Sequence, residues 1–385
     1  MSDTLLKFLF RDTAVRGEVV QLRRAWQQMT KHHAYPAPVL RLLGEITAAA
    51  ALLSSTIKFN GALVLQIHGD GPVQLLVVEC QPDLALRATA KMREGAAVSE
   101  DADMPALVNL HGRGRCVITL DPRDPKPGQQ PYQGVVSLEG ESIAQALENY
   151  MRRSEQLQSR LWLAADETTA AGVLLQKLPA DSGRTLVEPL AEAMREGMSK
   201  GASGPAHKPM RQSQPESMSE SMRESLLDSP PQRPSPLPGE SPSQSPDESR
   251  TESTRAQARA SAVQALSEAT GDDAWDHLVT LAATITRAEL LDLEPLLLTR
   301  RLFWQEALQP IVPLAPRFQC RCSRERIGRM LISLGREEID SIIAEFGQVE
   351  VTCDFCSARQ SFDAVDVVRL FATGASDEVA SGRPH

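Results

Sequence analysis

The chain has 385 residues, 42% of them hydrophobic and 24% charged, with a formal net charge of −9. That length and apolar content suffice for two or three domains with buried cores. The negative charge argues against nucleic acid as a partner, because no basic patch opposes it. The N-terminal stretch MSDTLLKFLFRD lacks the apolar segment of a secretory signal, and the most apolar window, ITAAAALLSSTI at 46–57, is too short to span a bilayer. We therefore expect a cytoplasmic protein with no membrane partner.

Residues 1–182 have the pattern of an α+β domain. Pro36 and Pro38 introduce a segment with apolar residues at helical spacing, which predicts a helix that begins there. The stretch ALVLQIHGDGPVQLLVVEC predicts two strands joined by a hairpin at GDGP. Four more strands and one helix are predicted, the strands at 115–120, 134–139, 159–165 and 171–179 and the helix at 142–158. Because the strands cluster without βαβ alternation, we predict a mostly antiparallel sheet accompanied by helices.

Composition changes sharply after this domain. Residues 201–250 contain 12 Ser and 10 Pro and no aromatic residue, Val, Ile or Thr. A segment with so little apolar surface cannot offset the entropy of ordering its chain, so we predict disorder over 197–258. A tolerated loop insertion is the simplest interpretation, since the entropy of loop closure rises slowly with length. The alternative is a phosphorylated or partner-docking segment, because four Ser-Pro pairs lie in it.

The next segment predicts a helical linker over 272–316. Between 274 and 308, apolar residues recur at helical spacing: Trp275, Leu278, Leu281, Ile285, Leu290 and Leu291. These amphipathic helices must bury their apolar face, and the preceding sheet domain is the surface available. Three prolines end the helical pattern, at Pro310, Pro313 and Pro316.

Four of the six cysteines lie in the C-terminal segment 317–372, as Cys320-x-Cys322 and Cys353-x-x-Cys356. Two helical patterns separate the pairs, and each ends at a glycine, which is the usual C-terminal stop signal. A hairpin of these helices would bring the two cysteine pairs together. Four thiolates then fit a closed tetrahedral Zn²⁺ site, with one ion per chain. Such a site contributes about 10–16 kcal/mol, all of it linked to folding.

Other interpretations of the cysteines remain open. One is that the cysteines bind iron or an iron–sulfur cluster, and another is that they serve only as thiols or disulfides. A closed site leaves no position for a substrate, which argues against metal-assisted hydrolysis. The Cys-x-Cys spacing adds a redox hypothesis, because two cysteines one residue apart can form a tight disulfide that is readily made and broken.

Positive charge nearby supports that hypothesis: Arg321 lies between the two cysteines of the first pair, and Arg324 and Arg326 follow them. Oxidation of both pairs would remove every ligand of the metal at once. The module would then lose the energy that folds it, and the linker just upstream is the segment expected to unfold with it.

With these residues the chain resembles the Hsp33 family of redox-regulated chaperones. The resemblance rests on six stretches in their usual order: RDTAVRGEVVQL at 11–22, GDGPVQLLVVE at 69–79, YMRRSEQ at 150–156, AGVLLQKLP at 171–179, FQCRCSRERI and VTCDFCSARQSFDAVDV. It covers nearly the whole chain outside the Ser/Pro-rich insert. It implies an ATP-independent holdase that is inactive while reduced and zinc-bound, and that peroxide or hypochlorous acid activates under unfolding conditions.

The resemblance also implies roles for particular residues and partners. Cys320, Cys322, Cys353 and Cys356 would be the zinc ligands, and oxidation would pair Cys320 with Cys322 and Cys353 with Cys356. The N-terminal domain would bind unfolded client proteins, and the active form would be a homodimer. The chain contains no G-x-x-x-x-G-K-[ST] loop, which agrees with ATP independence. Two features depart from the family pattern: the insert after LLQKLP, and Ser357 where a glycine often follows the last cysteine.

Single residues outside the module suggest structural roles. Cys80 and Cys116 lie in apolar strand patterns, which predicts buried core thiols. His32 and His33 are expected on a solvated turn, and Glu155 in an ion pair or a cap within the core. No nucleophile–base pair is recognisable, so we expect no enzymatic activity.

Two competing functions remain. One is a static zinc-ribbon regulator or scaffold. Its nucleic-acid form has poor support, because residues 318–370 carry seven Arg and nine acidic residues. The other is a thiol–disulfide oxidoreductase, which is disfavoured because no thioredoxin-like βαβ pattern surrounds the Cys-x-x-Cys.

Overall fold

The computed structural model describes residues 3–11, 13–125, 130–179, 272–310 and 313–381. The predicted insert at 197–258 lies outside these residues. The domain boundaries 1–182, 272–316 and 317–372 remain predictions, whereas the predicted fold class, α+β with mostly antiparallel sheets, is confirmed.

The described strands form two large sheets and one hairpin. The first sheet contains, in spatial order, β10 (Leu308–Pro310), β1 (Thr4–Phe10), β2 (Val15–Leu22), β9 (Ala170–Lys177) and β8 (Ser159–Ala165). All its neighbouring strands are antiparallel. The second sheet contains β11 (Arg317–Phe318), β5 (Ala85–Met92), β4 (Val73–Cys80), β3 (Gly61–His68), β6 (Arg115–Pro122) and β7 (Tyr132–Ser137). There the short β11 runs parallel to β5, and the other pairs are antiparallel.

A long helix, α2 (Ala37–Thr56), packs against strands of both sheets. Pro38 stands in its first turn, as the sequence predicted. The run Ala48–Ala51 is fully buried, and its small side chains let the helix approach the sheets closely. At Gly44 a Cβ atom would lie 2.3 Å from the Cβ of Ala165 on β8, so this contact requires glycine. The helix has the length and hydropathy of a membrane span, but 78% of its most apolar 18-residue window is buried in the protein, so it is a core helix.

Shorter helices complete the N-terminal region: α1 (Arg24–Thr30), α3 (Met104–Val108) and α4 (Ile143–Arg153). Helix α4 ends five residues before the predicted end at 158. Gln156 has a φ of +54°, in the left-handed region, and turns the chain into β8. Glu155 accepts hydrogen bonds from the hydroxyls of Tyr150 (2.7 Å) and Tyr132 (3.1 Å). The prediction of an ion pair or cap for Glu155 is therefore wrong.

The linker helices cover the outer face of the first sheet. They are α5 (residues 272–282), α6 (Arg287–Asp292) and α7 (Pro295–Leu302). Their apolar residues join strand residues in one buried cluster, and Phe303, just after α7, packs its ring 5.8 Å from Phe8 and 5.0 Å from Phe10. This packing is the one that the amphipathic pattern predicted. A capping box between Thr286 and Glu289 starts α6, so the linker turns between short helices.

The C-terminal module has its own small core. It contains α8 (Arg324–Leu334), α9 (Arg336–Phe346), the hairpin of β12 (Val349–Thr352) and β13 (Arg359–Phe362), and α10 (Ala364–Ser381). The two predicted helices are confirmed, and Gly335 and Gly347 end them with φ of +95° and +79°. Six buried residues form the core: Ile327, Leu331, Ile339, Val349, Phe362 and Val367.

Candidate metal centre

Two separate pieces of chain bring the four module cysteines together. Cys320 and Cys322 lie in the extended segment between β11 and α8, and Cys353 and Cys356 lie in the turn between β12 and β13. All four Sγ atoms lie within 4.8 Å of one another. The Sγ atoms of Cys320 and Cys353 are 3.6 Å apart, and those of Cys322 and Cys356 are 3.3 Å apart. Each of these two contacts joins one cysteine pair to the other.

The second cysteine pair stands on a tight turn that its backbone defines. Ser357 N–H donates to the carbonyl of Cys353 (2.8 Å), and Cys353 N–H donates to the carbonyl of Ala358 (3.0 Å). Ser357 has a φ of +54°, a left-handed conformation that favours glycine.

The four sulfurs have the size and chemistry of a metal site. In a tetrahedron with Zn–S distances of about 2.3 Å, neighbouring sulfurs are about 3.8 Å apart, near the separations observed here. Four soft thiolate donors favour zinc, copper or iron–sulfur centres over hard cations such as Mg²⁺ or Ca²⁺. The cluster can thus bind a metal ion through its four side chains.

Burial and mutual contact perturb the thiols in different directions. Partial burial, together with hydrogen bonds to the other cysteines, raises the pKa of Cys322. Burial also raises the pKa of Cys356. For Cys320, burial acts in the same direction, but the backbone N–H of Cys322 and the neighbouring thiols outweigh it, and the pKa lies below its ordinary value.

Carboxylates compensate most of the positive charge that the sequence placed beside the cysteines. Arg321 pairs with Glu79 of the core at 3.1 Å. Arg324 pairs with Asp366 at 2.6 Å and stacks on the ring of Phe362. The guanidinium group of Arg324 therefore joins two parts of the module, and that of Arg321 joins the module to the core.

The turn that carries the second pair also touches the N-terminal region. The Phe355 ring lies 4.2 Å from the guanidinium carbon of Arg87 on β5, and Thr89 Oγ1 donates to the carbonyl of Asp354 at 2.7 Å. His33 Nε2 lies 3.4 Å from the carbonyl oxygen of Phe355, and its ring stacks on Tyr35. The prediction of a solvated turn is thus wrong for His33, which is half-buried in this contact.

None of these docking contacts was predicted from the sequence. The aromatic residue between the two cysteines was the available signal, because an apolar ring in an exposed turn needs a surface to cover it.

The two remaining cysteines are in the core, as predicted. Cys80 and Cys116 are fully buried in β4 and β6. Burial raises the pKa of each thiol to about 12, so neither is reactive at neutral pH.

Comparison with known proteins agrees with this architecture. The profile of the family described as "Hsp33 protein" matches residues 3–229 and 244–363. The 33 kDa chaperonin of Methylobacillus flagellatus is 37% identical over 374 residues, covering 97% of this chain and 96% of its own. The 33 kDa chaperonin of Azotobacter vinelandii is 37% identical over 384 residues, and the match covers 99% of this chain and 98% of that one. The crystal structure of the 33 kDa chaperonin (Hsp33) of Thermotoga maritima superposes with a TM-score of 0.62 over 97% of this chain and 99% of that one; at 15% identity, this match shows the fold.

The chain combines an α+β core, a layer of linker helices and a four-cysteine module, and its relatives are chaperonins. It is therefore a molecular chaperone. The chain belongs to the Hsp33 family.

Proposed function

We propose that this chain is a redox-regulated, ATP-independent holdase that is inactive while its cysteines are reduced and hold Zn²⁺. Oxidation of the cysteines would then uncover apolar surface that binds unfolding proteins. One observation carries the proposal: the four sulfurs lie within 4.8 Å of one another in a module joined to helices that cover an apolar sheet face.

In the reduced state, Cys320, Cys322, Cys353 and Cys356 would be the ligands. The ion would contribute about 10–16 kcal/mol of apparent binding energy to a module in which six buried apolar residues form the core among the described residues. With all four positions filled by thiolates, the centre has a structural role.

In the oxidised state, each cysteine pair would become a disulfide. Two thiolates give up two electrons and form one S–S bond, while one hydrogen peroxide takes up these electrons and two protons and leaves as two waters. Two equivalents of peroxide thus convert both pairs, and the metal loses all its ligands. We propose the pairs Cys320–Cys322 and Cys353–Cys356, which is the pairing that the resemblance to the Hsp33 family implies.

Loss of the module's fold would release the linker. Eight strand residues lie with the linker helices in one buried cluster: Phe8, Phe10, Val15, Val19, Ala164, Ala171, Val173 and Leu175. Their exposure, with that of the linker's own apolar face, would create the large hydrophobic patch that an unfolding protein needs as a binding surface. We further propose that the active form is a homodimer and that the protein acts in the cytoplasm.

The proposal is tested by treating the zinc-loaded protein with peroxide at elevated temperature. Zinc release is followed with a chromogenic chelator, and light scattering reports the aggregation of a thermally unfolding model protein in the same sample. We expect zinc release and suppression of aggregation to rise together. If zinc leaves and the model protein is not protected, the chaperone mechanism is wrong; if zinc stays bound under oxidant, the switch is wrong.

A further inference from the structure

The outer edge of β5 is covered by the chain segment that leads into the cysteine module. Arg317 N–H donates to the carbonyl of Leu84, and Gln319 N–H donates to the carbonyl of Leu86, each at 3.0 Å. Only two residues of this segment, Arg317 and Phe318, pair with β5 as a strand. The segment is therefore a short edge strand that the chain adds to its own sheet.

Two side chains anchor this segment. Phe318 is half-buried and packs against the main hydrophobic core at the sheet edge. Arg317 donates to the carbonyl of Asp83 at 3.0 Å and pairs with its carboxylate at 2.5 Å. Removal of the segment would therefore leave both an unpaired strand edge and an apolar site beside it.

The cysteine turn covers the next part of the same edge region. Thr89 and Arg87 of β5 contact Asp354 and Phe355 of that turn. Farther on, Ala90 N–H donates to the Tyr35 hydroxyl at 3.1 Å. The first part of the edge is thus covered by residues just before Cys320 and by residues between Cys353 and Cys356, so we expect the covering to be lost when the module unfolds.

An exposed strand edge is a template for pairing with another extended chain. Such pairing uses backbone groups, which every polypeptide has, while a neighbouring pocket selects a side chain. We propose that the edge of β5 is a client-docking strand in the oxidised protein, and that Arg317–Gln319 is its intramolecular occupant in the reduced protein. The occupant in the oxidised state is an extended segment of an unfolded protein with a large apolar side chain at the position of Phe318. This inference rests on the proposed function, since it names the surface through which the holdase binds.

The opposite edge of the same sheet provides an internal control. Among the described residues, no strand pairs with the outer edge of β7. Because β7 lies at the other end of this sheet from β11, we expect its edge to have the same covering before and after oxidation, so it should not make client binding depend on oxidation.

The test places a photocrosslinking residue, p-benzoylphenylalanine, at exposed Lys91 of β5 or at exposed Gln133 of β7. The probe is fluorescein-labelled, reduced and carboxymethylated α-lactalbumin, which stays unfolded and carries no free thiol. Each full-length variant is irradiated with the probe in its reduced, zinc-loaded form and after peroxide treatment. At Lys91 we expect labelling to rise about tenfold on oxidation. An increase of this size corresponds to the net contribution of one or two backbone hydrogen bonds between β5 and the probe. At Gln133 we expect no change between the two states.

A competing peptide tests the role of the segment itself. PLAPRFQ, the sequence of 313–319, should reduce labelling at Lys91 of the oxidised protein, whereas PLAPRAQ should not. Equal labelling at Lys91 in both states, an equal rise at Gln133, or crosslinks only to a second copy of the chain would overturn the inference. If the oxidised wild-type protein fails to suppress aggregation, the proposed function itself fails. If it suppresses aggregation while Lys91 stays unlabelled, only the inference about β5 fails.

Discussion

Ser357 is the residue whose backbone conformation fits its side chain least well at the metal centre. Its φ of +54° costs a non-glycine residue about 1–2 kcal/mol. The turn nevertheless forms, because its N–H completes a hydrogen bond to Cys353. This conformation has a physical consequence: we expect the module to be less stable than the same module with glycine at 357.

Ser357→Gly should therefore strengthen zinc binding. Because metal binding is linked to folding of the module, relief of about 1 kcal/mol corresponds to an affinity about fivefold higher. Competition with a fluorescent zinc chelator under reducing conditions measures this change. Ser357→Ala keeps the Cβ atom and should show no gain, so an equal increase in both variants would contradict the explanation.

The core cysteines should stay unmodified while the module cysteines react. With a pKa of about 12, Cys80 and Cys116 are thiolates in only about one molecule in ten thousand at pH 8. After zinc is chelated under reducing conditions, iodoacetamide should modify four cysteines. Peptide mass spectrometry identifies them, and alkylation of Cys80 or Cys116 before the core unfolds would show that the core is more open than described.

At the scale of elements, the linker is held on the first sheet by aromatic packing. Phe303 is 1% exposed and contacts Phe8 and Phe10, whereas its neighbour Trp304 is 75% exposed. These two adjacent aromatic residues thus differ in burial, which is the property that matters for docking of the linker. They form a matched pair for mutation.

Phe303→Ala should release the linker without oxidation. Truncation of a buried phenylalanine to alanine lowers stability by about 3–5 kcal/mol. At this position the loss weakens the packing of the linker against the sheet. We expect partial suppression of aggregation by the reduced protein, with its zinc still bound. Trp304→Ala should behave like the wild type; if both variants remain inactive while reduced, the linker does not control the binding surface.

The elements that the sequence predicted best are those buried on one face or joined by a distinctive turn. Strand β8 has the predicted bounds, and the hairpin at GDGP joins β3 and β4 as expected. Strand β2 was missed because α2 covers one of its faces and the linker the other, so it shows no alternation. The break at Thr286 was readable as a T-x-x-E capping box but was not predicted.

At the scale of the whole molecule, the sequence predicted the composition of the cysteine cluster but not its docking. Cysteine spacing and two glycine-ended helices were enough to predict that four sulfurs meet. The contacts of Phe355 with Arg87 and of Arg321 with Glu79 join residues more than 200 positions apart. Contacts between residues so far apart in sequence leave no local sequence pattern, so they could not be predicted.

Hydrogen exchange measured by mass spectrometry tests the central claim most directly: that oxidation of the cysteines unfolds the linker while the core stays folded. The zinc-loaded and peroxide-treated proteins are compared, and each sample is also assayed for suppression of aggregation. We predict that 272–310 and 317–371 lose protection on oxidation, while α2, β2 and β9 keep it. An oxidised sample that suppresses aggregation while its linker keeps full protection would contradict the mechanism.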